Sequence, residues 1–314
     1  MKQYIIGVDI GGRSMKFGLF TKDGEIQAKS NIITRTEDDG INILPDLYEH
    51  LKKIIEKYDL TDEKLLGIGI GIPGPILNKA IIKRAVNLGW KEETNVKSYL
   101  EERLNVKVLV ENDANVAALG EMWKGSAEGY KNLVMVTLGT GVGGGIVVDG
   151  RIVSGTTGSG GEIGHMPFLE TPLKRTCGCG GHRCLEQVAS APGIEQIAQD
   201  YLFENDKYSS LRELDLISAK DIFDEAKKGD EYANNIVNIY NNHLGRGLGI
   251  ISAIVDPEVF VIGGGVSHAG EFLIKGLKKS YQEQAFSVTA NCEFKLASLG
   301  NDAGIFGAAR LILE

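Results

Sequence analysis

Apolar residues along the chain are grouped in short runs separated by glycine-rich bends, and one arrangement of these runs occurs twice. Residues 3–10 and 17–20 are two such runs, joined by a glycine bend and followed by an Asp-Gly turn, which predicts a hairpin. Residues 133–138 and 146–148 have the same order of strand, glycine loop, strand and Asp-Gly turn. Because a whole supersecondary unit is repeated, we predict two similar α/β halves that face each other across a cleft.

The segments between these hairpins have helical or strand-like spacing. Apolar residues recur every three or four positions from Ile43 to Tyr58, which predicts an amphipathic helix. Further helices are predicted over 95–104, from 114 to 121, from Pro192 to 202, and over 218–228, 231–255, 270–285 and 304–312. Further strands are predicted over 106–111, 258–266 and 293–297, and over 65–76, where Gly71, Pro73 and Gly74 break the strand and make its end an irregular loop. We expect a small N-terminal α/β domain of residues 1–118 with 298–314, and a larger α/β domain of residues 119–297.

Composition narrows the class of protein. The 314 residues are 43% hydrophobic and 24% charged, which is typical of a soluble globular chain. The net charge of -8 and the lack of a basic stretch argue against nucleic acid as a partner. Apolar runs are too short to span a membrane, and a first strand beginning near Gln3 leaves no room for a signal peptide. We therefore expect a cytoplasmic enzyme.

The segment from 155 to 186 has the composition of a metal loop. His165, Cys177, Cys179 and Cys184 offer four nitrogen and sulfur donors, which a closed tetrahedral zinc site needs. Glycines between the cysteines allow a short backbone to wrap a small ion. We predict a structural zinc site, the alternative being unrelated thiols in a reduced protein.

Two carboxylates bracket these four ligands. Glu162 lies three residues before His165, and Glu186 lies two residues after Cys184. A metal that fixes the loop would also fix both carboxylates, which suits recognition of several hydroxyl groups. The alternative is that both are solvated loop acids.

Three predicted strands end in glycine clusters, at residues 9–12, 138–145 and 262–265. Backbone N–H groups in such bends bind anions, and missing side chains let phosphate oxygens approach. No cluster has the Walker or dinucleotide-fold pattern. Two of these glycine clusters belong to the duplicated unit, and the third could contact the nucleotide base. Together they predict a nucleotide held between the two halves. The alternative is that they are tight turns without a ligand.

Two aspartates at strand ends are candidates for the chemistry. Asp9 follows the first strand, where it can bind Mg²⁺ through water. Asp113 lies at a strand-to-helix junction, where a carboxylate could accept the proton of a sugar hydroxyl during phosphoryl transfer. The alternative role for Asp113 is a helix N-cap, which does not exclude catalysis.

Several motifs together resemble one family over essentially the whole chain. DIGG at 9–12, ENDAN at 111–115, LGTGVGGGIV at 138–147, GEIGHM at 161–166 and CGCGGHRCLE at 177–186 are similar to those of the ROK family of sugar kinases and repressors. The runs ENDANVAALGE and CLEQVASAPGI resemble the family's bacterial ATP-dependent glucokinases. Two positions depart from the family pattern: Arg13 replaces a usual Thr, and Arg183 replaces a usual Gly before the third zinc cysteine.

This resemblance implies an actin-like, ribonuclease H-like fold with a central cleft, use of ATP and Mg²⁺, and a homodimer. It implies that Asp113 is the catalytic base and that the sugar is bound by Asn87, Asn112, Asp113, Glu162, His165 and Glu186. The expected nucleotide contacts are Asp9, Gly11, Gly12, Arg13, Ser14, Gly139, Thr140, Gly141, Gly264 and Gly265. His165 would then serve both sugar and zinc.

The expected reaction is ATP-dependent phosphorylation of a hexose at its C6 hydroxyl, with glucose as the expected substrate. One alternative is an N-acetylmannosamine or other N-acetylhexosamine kinase. Another is a sugar-binding regulatory protein or repressor. Family repressors carry a helix-turn-helix segment ahead of the first strand, whereas this chain starts at that strand.

Overall fold

A computed structural model describes residues 3–61 and 63–314, and their contacts form two compact units. The first unit comprises Met1–Lys131, Gly145–Gly161 and Ser298–Glu314, and the second comprises Asn132–Gly144 and Glu162–Ala297. The first unit thus extends beyond residue 118, where the sequence suggested a boundary, because the helix that contains this position continues to Lys124 and packs within that unit.

Groups of strands and groups of helices follow one another along the chain. The strands are β1 (Tyr4–Ile10), β2 (Ser14–Thr21), β3 (Ile26–Ile33), β4 (Leu65–Ile72), β5 (Ile76–Leu77), β6 (Ile81–Ile82), β7 (Thr94–Asn95), β8 (Val108–Asn112), β9 (Leu133–Leu138), β10 (Val142–Val148), β11 (Arg151–Ile152), β12 (Val259–Gly263) and β13 (Glu293–Leu296). The helices are α1 (Ile43–Lys57), α2 (Val96–Leu104), α3 (Asp113–Lys124), α4 (Glu186–Ala189), α5 (Ala191–Glu204), α6 (Ala219–Lys228), α7 (Glu231–Val255), α8 (Glu271–Gln284) and α9 (Ala303–Leu311). In the described residues, no helix is both long enough and apolar enough to span a membrane.

The two main sheets have the same topology. One has the order β3-β2-β1-β4-β8, and the other has the order β11-β10-β9-β12-β13. In the first, β1 is antiparallel to β2 and parallel to β4. In the second, β12 is parallel to both β9 and β13. The repeated order confirms the internal duplication that the two hairpins predict.

The first unit is built on close contact between α9 and its sheet. A Cβ atom at Gly7 or Gly69 would collide with backbone atoms of α9, so these strand positions require glycine. Gly120 of α3 lets that helix approach α9 in the same way. These close approaches pack α9 against β1, β4 and α3.

The second unit is built around α7, whose Tyr240 is fully buried and donates a hydrogen bond to the Ala189 carbonyl at 2.8 Å. The predicted helix at 218–228 is α6, and its capping box between Ser218 and Asp221 is present. The glycine cluster predicted as one loop over 138–145 is not a single loop, because β10 already begins at Val142.

Candidate active site and metal centre

The turn from β8 into α3 carries two of the predicted site residues. Asn112 Oδ1 accepts hydrogen bonds from Ala114 N at 2.9 Å and Asn115 N at 3.3 Å, and Asn112 Nδ2 donates to the Gly74 carbonyl at 3.3 Å. Asn112 is therefore the N-cap, and the capping role considered for Asp113 is wrong. An Asn-Asp pair after a strand allows either residue to cap, and backbone geometry selects the first.

Asp113 is the first residue of α3, and its side chain is exposed. Its Oδ1 accepts a hydrogen bond from Ala114 N at 2.9 Å. Since the neighbouring residue caps the helix, the carboxylate of Asp113 is not required for that task. A carboxylate exposed at a fixed helix start is suited to accept a proton from a bound hydroxyl group.

Asp9 is paired with a lysine that sequence reasoning missed. Lys16 lies opposite Asp9 in the β1–β2 hairpin, and its Nζ is 3.3 Å from Asp9 Oδ2. Burial raises the pKa of Asp9 above its ordinary value, and Lys16 partly offsets this effect. The predicted hairpin could have identified Lys16, because its register places the residue seven positions after Asp9 directly opposite Asp9. One carboxylate of this kind fits Mg²⁺, which binds mainly through substrate phosphates and water.

The first glycine bend is a short turn closed by hydrogen bonds. Gly11 N donates to the Ser14 carbonyl at 3.0 Å, and Thr34 Oγ1 donates to the Gly11 carbonyl at 2.7 Å. Gly12 and Arg13 are exposed at its tip. A Cβ atom at Gly12 would lie 3.1 Å from the Asn87 carbonyl oxygen, so this bend adjoins the exposed Asn87. The structure therefore brings a predicted nucleotide residue next to a predicted sugar residue.

The second unit has a cavity beside two glycine segments. Its volume is about 1160 Å³, its open mouth included. Of the predicted residues, Gly139, Thr140 and Gly265 line it, while Gly141 and Gly264 are their sequence neighbours. The remaining lining includes residues that sequence reasoning missed: Glu195, Ser218, Ala219, Lys220, Phe223, Asp224, Lys227 and His268. Five of these lie on one face of α6, and only tertiary packing identifies that face as a cavity wall.

The four predicted metal ligands converge in the second unit. Ligand atoms of His165, Cys177, Cys179 and Cys184 all lie within 4.8 Å of one another. Sulfur atoms bound to one zinc ion are separated by about 3.8 Å, given Zn–S bonds of about 2.3 Å and tetrahedral angles. The Sγ atoms of Cys179 and Cys184 are 3.4 Å apart, and Cys177 Sγ is 3.5 Å from His165 Nδ1. The donor set and its spacing therefore fit zinc.

The thiol groups in this cluster differ in acidity. Burial raises the pKa of Cys177 to about 12 and also raises that of Cys184, whereas a backbone hydrogen bond from Gly181 lowers that of Cys179. Zinc binds thiolates and releases their protons. Metal binding to this cluster must therefore displace protons that the metal-free protein holds.

Both predicted carboxylates contact the metal cluster. Glu162 Oε2 is 3.9 Å from His165 Nε2, on the ring nitrogen that does not face Cys177. Glu186 Oε1 accepts a hydrogen bond from Cys177 Sγ at 3.3 Å, and Glu186 Oε2 accepts one from Val142 N at 3.0 Å. Glu186 thus connects the metal loop to the glycine segment at 139–141. Carboxylates that contact metal ligands orient those ligands.

Gln187 is a further residue of the metal loop that the sequence did not reveal. Its Oε1 accepts a hydrogen bond from Cys184 N at 3.1 Å, and its Nε2 donates to the Arg175 carbonyl at 2.8 Å. Gln187 is buried, so this amide fixes both ends of the loop. A glutamine next to Glu186 has no distinguishing sequence signal.

The model of the ROK family matches residues 5–314, and the chain therefore belongs to the ROK family. This membership confirms the resemblance carried by the motifs. The chain is 40% identical to a glucokinase of Halalkalibacterium halodurans, over 99% of this chain and 96% of the relative. It is 30% identical to an N-acetyl-D-glucosamine kinase of Haemophilus influenzae, over 98% of each chain. The crystal structure of a ROK family glucokinase from Streptomyces griseus, in complex with glucose and AMPPNP, matches with a TM-score of 0.74, 30% identity and 98% coverage of both chains.

Proposed function

We propose that this protein is an ATP-dependent sugar kinase that phosphorylates glucose at its C6 hydroxyl. The observation that carries the proposal is the exposed carboxylate of Asp113 at the first position of α3, next to the capping residue Asn112. Membership of the ROK family and similarity to a glucokinase support it. The test is an ADP-release assay with ATP, Mg²⁺ and a panel of hexoses.

In the proposed reaction, Asp113 accepts the proton of the C6 hydroxyl as that oxygen attacks the γ-phosphorus of ATP. A new O–P bond forms, the bond between the γ-phosphorus and the bridging oxygen breaks, and ADP leaves with those electrons. Most of the rate acceleration in phosphoryl transfer comes from alignment and charge neutralisation. Lys16 and the backbone N–H groups of the glycine bends are suited to that neutralisation.

The proposed hexose ligands are the carboxylate, amide and imidazole side chains identified from the sequence motifs. They are Asn87, Asn112, Asp113, Glu162, His165 and Glu186. Carboxylate and amide groups of this kind bind sugar hydroxyls, and their placement on a capped helix or a metal loop would hold them rigidly.

The proposed nucleotide site uses the glycine segments. The proposed nucleotide contacts beside the cavity are Gly139, Thr140, Gly141, Gly264 and Gly265, and the cavity is large enough for the adenosine group. We propose Asp9 for Mg²⁺, and Gly11, Gly12, Arg13 and Ser14 for the phosphates. When bound, Mg²⁺ would reduce the negative charge of the phosphates.

The proposed role of zinc is structural. Four protein ligands would close its coordination shell, so the ion would stabilise the loop rather than activate water. Zinc held there would fix His165, and with it Glu162 and Glu186. Metal content measured on the purified protein tests this role.

An N-acetylhexosamine kinase is the second candidate function, favoured by the 30% identity to an N-acetyl-D-glucosamine kinase. The identity to the glucokinase is higher, at 40%. A panel containing glucose, N-acetylglucosamine and N-acetylmannosamine separates the two. If kcat/KM is higher for an acetylated sugar than for glucose, that sugar replaces glucose as the proposed substrate.

We also propose that the protein is a cytoplasmic homodimer that does not bind nucleic acid. ATP as phosphoryl donor and four free cysteines suit the cytoplasm, and the net charge of -8 disfavours nucleic acid. Light scattering after size-exclusion chromatography gives the molar mass in solution and so tests the dimer. A molar mass equal to that of one chain would contradict it.

A further inference from the structure

The carboxylate of Glu111 is buried beside the turn that carries Asp113. Glu111 belongs to β8 and is 1% exposed. Its Oε1 accepts hydrogen bonds from Asn112 N at 2.9 Å and Asn115 Nδ2 at 3.1 Å, and its Oε2 accepts one from Ser154 Oγ at 2.6 Å. These three donors are neutral. Burying a carboxylate costs free energy unless donors satisfy it, so each of these contacts matters.

Two of the contacts fix the chain on either side of Asp113. Asn112 is held through its backbone N–H group, and its extended conformation starts α3. Asn115 is held through its side chain in the first turn of the helix. Asp113 lies between these two anchored residues, so Glu111 limits how far its carboxylate can move.

The third contact fixes the start of a glycine-rich loop. Residues 154–161 have the sequence SGTTGSGG and lead directly to Glu162. Such a composition gives a flexible segment unless specific contacts hold it. Gly160 N donates to the Ser154 carbonyl at 2.8 Å, which closes the loop on itself. The Ser154 hydroxyl then ties the closed loop to Glu111.

We propose that Glu111 is a positioning residue for phosphoryl transfer. Its carboxylate holds the turn that presents Asp113. Through the hydrogen bond from Ser154, it also holds the first residue of the loop 154–161, which leads to Glu162. This inference rests on the proposed function, in which Asp113 is the general base and Glu162 contacts the hexose. A displacement of about 1 Å in a reacting group can lower a rate by about 100-fold, so the anchor has a measurable effect.

The kinetic test compares Glu111→Gln, Ser154→Ala and Ser154→Thr with the wild type at saturating glucose and ATP. We expect Glu111→Gln and Ser154→Ala to lower kcat by about 10- to 100-fold. Ser154→Thr keeps the hydroxyl group and should retain kcat within about threefold. If the effect at this position came only from altered packing, the larger threonine would also lower kcat.

Glu121 provides a matched control at the other end of α3. It is 0% exposed and accepts hydrogen bonds from Ser126 N and Leu299 N, both at 2.8 Å. Glu121→Gln therefore also removes the charge of a buried, donor-satisfied carboxylate. We expect it to lower the melting temperature while kcat of the folded enzyme stays near the wild-type value.

Amide hydrogen exchange measures, without any substrate, how firmly the hydrogen bonds of Glu111 hold the backbone. In Glu111→Gln, amide exchange should accelerate together at residues 112–116 and 154–161, whereas Glu121→Gln should leave both segments unchanged. If Glu111→Gln does not fold, the Ser154→Ala and Ser154→Thr pair gives the same comparison.

The outcomes separate this inference from the proposed function. A wild type that phosphorylates no hexose overturns the proposed function. An active wild type whose Glu111→Gln and Ser154→Ala variants keep kcat within twofold overturns the positioning role, as does unchanged exchange over 154–161.

Discussion

Replacing Gly141 with alanine would place a methyl group where the carboxylate of Glu186 lies. A Cβ atom at Gly141 would collide with Glu186 Oε2, the atom that accepts a hydrogen bond from Val142 N at 3.0 Å. A displaced Glu186 carboxylate would lose its proposed hydrogen bond to the hexose, and a hydrogen bond to a charged group contributes about 1.5 to 3 kcal/mol. Since about 1.4 kcal/mol is a factor of ten, we expect kcat/KM for glucose to fall by about 10- to 150-fold. Most of the fall should be a higher KM for glucose, because Glu186 is a proposed hexose ligand.

Gly139 is the matched control in the same segment. Apart from its chain neighbours, a Cβ atom there would meet no other atom within 4 Å, so Gly139→Ala adds the same methyl group without moving Glu186. Saturating ATP offsets an effect of this methyl group on the proposed nucleotide site. The assay is ADP release at saturating ATP with varied glucose, together with the melting temperature of each variant. The reasoning is refuted if Gly141→Ala keeps kcat/KM within twofold of the wild type, or if Gly139→Ala raises the KM for glucose equally.

Three other predictions concern the buried charge, the metal and the core. Burial raises the pKa of Asp9 in the folded protein above its ordinary value of about 4 in the unfolded chain. As the pH rises from the lower pKa to the higher one, the unfolded chain ionises first, so the folded state loses stability and this loss remains at neutral pH. Without nucleotide, Asp9→Asn should therefore melt at a higher temperature than the wild type at pH 7 but not at pH 4, while losing turnover; a lower melting temperature at pH 7 contradicts this. Cys177→Ser should lose zinc and glucose affinity together, whereas Cys292→Ser, outside the cluster, should keep both; equal metal content in the two variants, measured by mass spectrometry, would exclude the site. Tyr240→Phe leaves the Ala189 carbonyl without its donor and should lower the free energy of unfolding by about 1 to 3 kcal/mol in denaturant titrations, a loss that should be absent for the exposed Tyr208→Phe.

The parts of the fold that local patterns determine were predictable from the sequence. The capping box that starts α6 and the apolar stripe of α1 are both present. The repeated hairpin identified the duplication because β1 and β9 both end at glycine bends. By contrast, β3 was missed because it is an edge strand whose residues are largely exposed, so its sequence lacks an apolar pattern.

The candidate site was predictable to the extent that its residues are close in sequence. The metal ligands fall within 20 positions, and the structure brings them together as expected. Contacts made by tertiary packing could not be predicted. Ser154 is 43 positions from Glu111, and the α6 wall of the cavity is far along the chain from its glycine segments. The N-cap role considered as an alternative for Asp113 belongs to Asn112, and the sequence could not decide between them because both residue types cap helices well.

The most direct test of the central claim is the turnover of Asp113→Asn with glucose, ATP and Mg²⁺. Asparagine nearly preserves the shape of the side chain but cannot accept the proton of the C6 hydroxyl. Loss of a general base lowers the rate by about 10²- to 10⁴-fold, so we expect kcat to fall within that range while glucose still raises the melting temperature of the variant. Wild-type turnover by Asp113→Asn would contradict the assignment of the base and the mechanism built on it.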